Sequence, residues 1–246
     1  MKKILSVCLA VCAMISVLTL TSCSNAEVDL TGKDNVYSDL SDIILYPEKY
    51  AGKTAAISST YTVVYNFSEN KIVRHTLREF DTTGTKRALY ELKYSGEFPA
   101  IGTPVTVFGT LSADRHLAVD RFEGAKNSAD FEIDTLNMTA KELKSFIEAH
   151  RAEYSAGESF GKTIRIFGHL SVVEGYAYLI GLDGDGKYIW DVELHDSTGK
   201  TVYPTESGTT VNPVEVIGRL AVYEDDNVTY ACIEVISIGR AESVFK

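Results

Sequence analysis

Cysteine is nearly absent from the body of this chain. Of its four cysteines, Cys8, Cys12 and Cys23 fall within the first 23 positions, which leaves Cys232 alone. One thiol can neither close an intramolecular disulfide nor build a cysteine-based metal site. Cys232 lies in the alternating run Tyr230-Ala231-Cys232-Ile233-Glu234-Val235 and reads as a buried, inert side chain. Tryptophan occurs once, at Trp190. Positive charge is also short: 24 lysines and arginines stand against 34 aspartates and glutamates, with no basic run. Phosphate backbones draw their affinity from clustered lysine and arginine, so this balance argues against nucleic acid as a partner.

Catalytic motifs are missing as well. The five histidines, His75, His116, His150, His169 and His195, show no paired metal spacing and no nucleophile or zinc-protease motif. Gly52-Lys53-Thr54 and Gly161-Lys162-Thr163 look like the end of a phosphate-binding loop but lack its first glycine, and read as strand starts. Asp183-Gly184-Asp185-Gly186-Lys187 resembles the opening of a calcium loop, but Lys187 takes the third acidic position and Leu194 the bidentate twelfth, so a hairpin turn is the reading. The expectation is a protein that is not an enzyme and uses no cofactor or metal.

The longest apolar run is at the start. Lys2 and Lys3 precede Ile4 to Leu20, followed by Leu20-Thr21-Ser22-Cys23. Charged, apolar and small-residue regions in that order form an export signal, and the run falls short of the roughly 20 apolar residues a membrane span needs. The segment resembles the lipobox of bacterial lipoprotein signal peptides. That resemblance implies cleavage before Cys23, lipidation of its thiol and a protein exported to, and anchored on, the membrane surface of a bacterial envelope. Without the signal's two lysines the chain carries 22 basic and 34 acidic residues, a formal charge of −12.

Self-similarity organises the rest. Gly52-Lys53-Thr54-Ala55-Ala56-Ile57 recurs as Gly161-Lys162-Thr163-Ile164-Arg165-Ile166, and at the same offset Pro104-Val105-Thr106-Val107-Phe108-Gly109-Thr110-Leu111 falls on Pro213-Val214-Glu215-Val216-Ile217-Gly218-Arg219-Leu220. Each copy opens with a helix. Thr139 and Glu142 form a capping box for a helix over 140–154 whose stripe is Leu143, Phe146, Ile147, His150 and Tyr154. In the first copy Ser38 is the expected cap, Leu40, Ile43 and Ile44 face inward, and Pro47 limits the helix. Five strand patterns follow in each, at 54–67, 71–80, 87–94, 104–111 and 117–122, then at 163–173, 176–182, 188–195, 214–223 and 229–238. Five short strands in so few residues suit a small closed barrel, and Gly109, Gly168 and Gly218 fit its sharp coiling.

The helix, the Gly-Lys-Thr strand start and the later Val-x-Val-x-Gly strand resemble those of bacterial exported OB-fold domains, the tRNA-anticodon-domain-like family. The fold class expected is mainly β, with two tandem five-stranded OB-like barrels, each preceded by an α-helix. The divisions are signal 1–22, tether 23–35, first barrel domain 36–125, linker 126–137 and second barrel domain 138–246. The family's helix between strands three and four is missing from the links 95–103 and 196–213, and the polar stretch 125–138 suits a hinge.

The resemblance implies ligand binding on a barrel face where aromatic rings stack. In the first copy Arg74, His75, Arg78, Lys86, Arg87 and Lys93 alternate with Glu69, Glu79, Asp81, Glu91 and Glu97, which makes a mixed-charge face and not a phosphate track. The candidate ligand-binding residues are Trp190, Tyr188, Tyr178 and Tyr176 in the second copy and Tyr61, Tyr65 and Tyr90 in the first, with a filled barrel interior as the competing reading. The expected function is a binding or scaffolding module of the cell envelope with an envelope protein as partner. The alternatives are a glycan-binding lipoprotein feeding a transporter, through Trp190, and more remotely a nucleic-acid-binding OB protein.

Overall fold

A computed structural model describes residues 28–125, 131–153, 160–199, 203 and 212–244. The export segment, Cys23 and Tyr154 lie outside the described residues. The chain runs β1 (Val28–Leu30), α1 (Tyr37–Leu45), a 3-10 turn (Pro47–Lys49), β2 (Thr54–Asn66), β3 (Lys71–Phe80), β4 (Arg87–Lys93), β5 (Pro104–Leu111) and β6 (His116–Glu123). It continues with β7 (Ile133–Asp134), a second 3-10 turn (Thr135–Asn137), α2 (Ala140–Glu153), β8 (Thr163–Val173), β9 (Tyr176–Leu182), β10 (Tyr188–His195), β11 (Asn212–Asp225), β12 (Val228–Arg240) and β13 (Glu242–Val244).

Each half closes into a ring of five strands. The orders are β2-β3-β4-β6-β5 and β8-β9-β10-β12-β11, and in each the last strand pairs back onto the first. Only β4 with β6 and β10 with β12 run parallel within the rings. The protein is therefore mainly β, with two tandem five-stranded OB-like barrels. Alternation sets the inside: on β5, Val105, Val107 and Leu111 are buried between partly exposed neighbours.

The sequence repeat is a structural latch. Gly52 and Gly161, at φ of 82° and 81°, turn the chain into the first strand, in a region that suits glycine. Gly52 N donates to Leu111 O and Leu111 N to Lys53 O, at 2.8 and 2.9 Å; the same pair recurs between Gly161, Leu220 and Lys162 at 2.8 and 3.0 Å. At Gly109 and Gly218 the ladder with the fifth strand shifts register, and a Cβ there would sit 2.2 Å from Ala118 O and 2.6 Å from Glu234 O. Close backbone approach, as well as coiling, holds glycine at both bulges.

Both helices bury one face. α2 begins with the expected capping box: Glu142 N donates to Thr139 Oγ1 at 3.2 Å and Thr139 N to Glu142 Oε2 at 2.7 Å. Leu143 and Ile147 join the second core, with Phe146 packed against it. His150 Nε2 lies 3.2 Å from Cys232 O. α1 departs from expectation, because its N-cap is Val36, Ser38 sits inside the helix, and the Tyr37 amide is held by Asn35 Oδ1 at 3.1 Å. Leu40 and Ile43 are fully buried and Ile44 partly so. No helix interrupts 94–103.

The two barrels touch over a packed interface, so the stretch read as a hinge lies beside direct barrel-to-barrel contacts. Phe167 of β8 stacks on Tyr65 at 4.1 Å and 5°, within the first barrel's core cluster. Asn70 accepts from the Tyr65 hydroxyl and donates to Thr135 O and Met138 O, while Thr62 Oγ1 donates to Arg240 O at 2.8 Å. β7, in the segment read as linker, pairs with β8, and β13 leaves the second barrel to pair with β2.

A part-buried ionic cluster borders this interface. Arg165 forms a two-pronged bond to Asp134, at 3.1 and 2.7 Å, and lies 3.8 Å from Glu215. Glu215 and Arg165 share a crevice of about 290 Å³ with Tyr61, His75 and Phe98 of the first barrel. Burial pushes the Glu215 carboxyl up to about 7, against the pull of Arg165 and with a further push from Asp134. Its folded form holds the proton more tightly than the unfolded chain, so its contribution to stability is complete below the ordinary carboxyl range and is lost as pH rises through about 7. The loss is on the order of 3 kcal/mol. Denaturant unfolding at pH 5 and pH 8 should show a smaller pH difference in Glu215→Gln than in the unaltered protein; an equal difference would mean that Glu215 is ionised in the fold throughout.

Candidate functional site

Parity on β10 decides what the second barrel offers. Trp190, Val192 and Leu194 point into the core, while Asp191, Glu193 and His195 alternate with them on the outer face. Trp190 is only 4% exposed and lies against Gly181, where a Cβ would come within 2.2 Å of its ring. The lone tryptophan is thus a core residue and offers no face to a ligand. Tyr61, Tyr65 and Tyr90 are equally enclosed in the first barrel. Burial raises the Tyr90 phenol to about 12 and lifts those of Tyr61 and Tyr65 further. Four of the seven aromatic candidates therefore fill interiors.

The other three are accessible but divide between two places. Tyr188 is exposed and donates to Asp191 Oδ1 at 2.5 Å, beside Arg151 of α2, whose Nη1 bonds the same oxygen at 2.6 Å. Tyr176, 47% exposed at the start of β9, lines a cleft of about 580 Å³ on the outer face of the barrel. Tyr178 pairs with Glu193 across β9 and β10, and its phenol is raised by partial burial and then by Glu193 and its neighbours.

That cleft occupies the position where OB barrels take ligands, over strands two and three between the first hairpin loop and the loop joining strands four and five. Gly175 comes from the hairpin loop, Tyr176 from β9, Glu193, His195 and Asp196 from β10 and its end, and Tyr223 and Glu224 from the end of β11. Tyr203 closes another side. Two of its lining rings are stacked: His195 lies parallel to Tyr223 at 4.9 Å and 2°, and Tyr223 in turn stacks at 5.3 Å on Tyr230, outside the lining.

Carboxylates fix those rings. Tyr223 Oη donates to Glu193 Oε1 at 2.6 Å, and His195 Nδ1 lies 2.9 Å from Glu234 Oε2. Glu234 Oε1 also accepts from Ser197 N at 3.0 Å. Partial burial opposes ionisation of Glu234, but the bonds from Ser197 and His195 outweigh it and hold the carboxyl below its usual range. Among the described lining residues there is no lysine or arginine, against Glu193, Asp196 and Glu224. Carboxylates beside exposed rings suit hydroxyl or ammonium donors laid over a ring.

Sequence reading missed His195 and Tyr223 as members of this site, although a signal existed: Tyr223 and Tyr230 bracket the turn at Asp226 and Asn227, and pair directly across it. At the other hairpin, Asp183 Oδ1 accepts from Asp185 N at 2.9 Å and Lys187 N at 2.8 Å, so turn amides occupy this carboxylate. Among the described residues no group of three acidic, histidine or cysteine side chains converges as a metal site would.

No family model, no curated protein and no solved structure matches the chain. The placement of Trp190 has a direct readout. Its fluorescence should be blue-shifted and insensitive to iodide in the native protein, then red-shifted and quenchable on unfolding; quenching in the native state would contradict its burial.

Proposed function

We propose that this protein is a non-enzymatic binding module, exported and anchored to the bacterial membrane through a lipid on Cys23, that presents the cleft of its second barrel to a neutral or amine-bearing glycan. The observation that carries the reading is the stacked pair of His195 and Tyr223 beside Glu193, Asp196 and Glu224. Sugar rings offer apolar faces that pack on such rings, and hydroxyls that donate to carboxylates, and need no cation from the protein. An oligonucleotide meets the opposite of what it requires there.

The anchoring part rests on the order of charged, apolar and small residues before Cys23. No helix among the described residues is long and apolar enough to cross a membrane. A protein with Cys23→Ser should move from the membrane fraction to the soluble fraction and lose metabolic labelling with palmitate; retained labelling would refute lipidation at this residue.

Ligand binding is tested by calorimetry of the protein freed of residues 1–23 against panels of neutral and amino-bearing oligosaccharides. Tyr176→Ala and Tyr223→Ala should each weaken a bound glycan roughly tenfold, or about 1.4 kcal/mol. Tyr188→Ala, at the opposite end of β10, should leave it unchanged. Equal loss from all three, or none, would remove the cleft from consideration.

A further inference from the structure

The same outer face of the first barrel is already occupied, and by this chain. β13 runs parallel to β2 with Glu242, Ser243 and Val244 opposite Val64, Tyr65 and Asn66. These residues lie over strands two and three: together with Arg74, Thr76, Arg87, Leu89 and Glu91, and with Asp114 and Arg115 of the loop joining strands four and five, they line a cleft of about 420 Å³. That is the position of the open cleft in the second barrel. The walls differ in charge. Arg74, Arg87 and Arg115 line this one beside Glu91 and Asp114, where the second barrel's described lining has carboxylates and no lysine or arginine.

Glu242 fills the place of an anionic ligand. Its side chain, 6% exposed, reaches Arg87 Nη2 at 3.2 Å and Arg78 Nη1 at 3.6 Å. The fit is incomplete, because Arg78 Nε and Glu242 Oε1 are both buried without a hydrogen-bond partner among the described residues. Space for a longer occupant remains beside Ser243 and Val244. The strand itself pairs over only three residues, a short ladder whose local opening costs far less than unfolding a barrel.

We propose that the first barrel is a docking site for an extended acidic peptide, added as a strand along Val64–Asn66 with a carboxylate between Arg78 and Arg87, and that β13 is its tethered internal occupant. Backbone pairing with the β2 edge supplies affinity and the arginine pair supplies selection for acid, which is the logic of recognition by strand addition. A tethered competitor acts at high effective concentration, so an outside peptide binds only as often as β13 opens, and loosening β13 raises its apparent affinity. The site is separate from the glycan cleft and does not depend on it.

The test uses the whole protein and a labelled synthetic peptide with the sequence of residues 241–244, Ala-Glu-Ser-Val, whose one charged side chain is the glutamate. Glu242→Lys, which sets a like charge against Arg78 and Arg87, should bind this peptide about tenfold more tightly than the unaltered protein does. A peptide carrying glutamine at its glutamate should lose that gain, and bound peptide should slow amide exchange at 64–66. The isostere Glu242→Gln carries the same test in a gentler form, with a gain of about threefold. Peptide binding that is equal in the unaltered protein and both variants overturns the proposal, as does a gain seen for a single-stranded oligonucleotide and not for the peptide.

Discussion

Closure of each five-stranded ring through its first and fourth strands is the constraint on which the rest depends. The ladders β2 with β5 and β8 with β11 remove the edges that an open sheet would leave for other chains. They also decide which side chains are inside. Leu111 and Leu220 are fastened to the Gly-Lys-Thr turns by paired backbone bonds, and the bulges at Gly109 and Gly218 bend the fourth strand so that the fifth can follow it. Once the ring is shut, the outer face of strands two and three, with the loops at its ends, forms a concave surface in both barrels.

Two copies of one architecture have used that surface differently. In the second barrel it is open, floored with rings and walled by carboxylates; in the first it is lined by three arginines among acids and covered by β13. The divergence lies in outward-facing residues, which the ladder leaves free to vary. The inward-facing ones are held to type: Ile57 and Ile166 are at matched positions and both fully buried, as are Val107 and Val216.

This division explains what could be read from the sequence. Local signals served well. The Thr139–Glu142 capping box forms as expected, and the ten barrel strands fall within about two residues of their expected limits because each carries its own alternation. Trp190 was also legible, since it shares parity with Val192 and Leu194, but its rarity drew attention to chemistry over pattern. Ser38 lost its capping role because Asn35 sits where it can hold the first amide of α1. What no local pattern carried was pairing at long range: β1, β7 and β13 have three residues or fewer, and each is a strand only because a distant partner accepts it. The acidic cleft was hidden likewise, its rings being dispersed over three strands.

The return of β13 to the first barrel sets an order of events during synthesis. Thr62 and Arg240, bonded across this junction, are 178 residues apart. A chain emerging from its amino end can close its first barrel long before those later residues exist, and contacts of such separation are the slowest to form. For that interval the edge at Val64–Asn66 and the buried arginine beside it stand open to solvent, and every encounter the young protein makes occurs with its first groove empty.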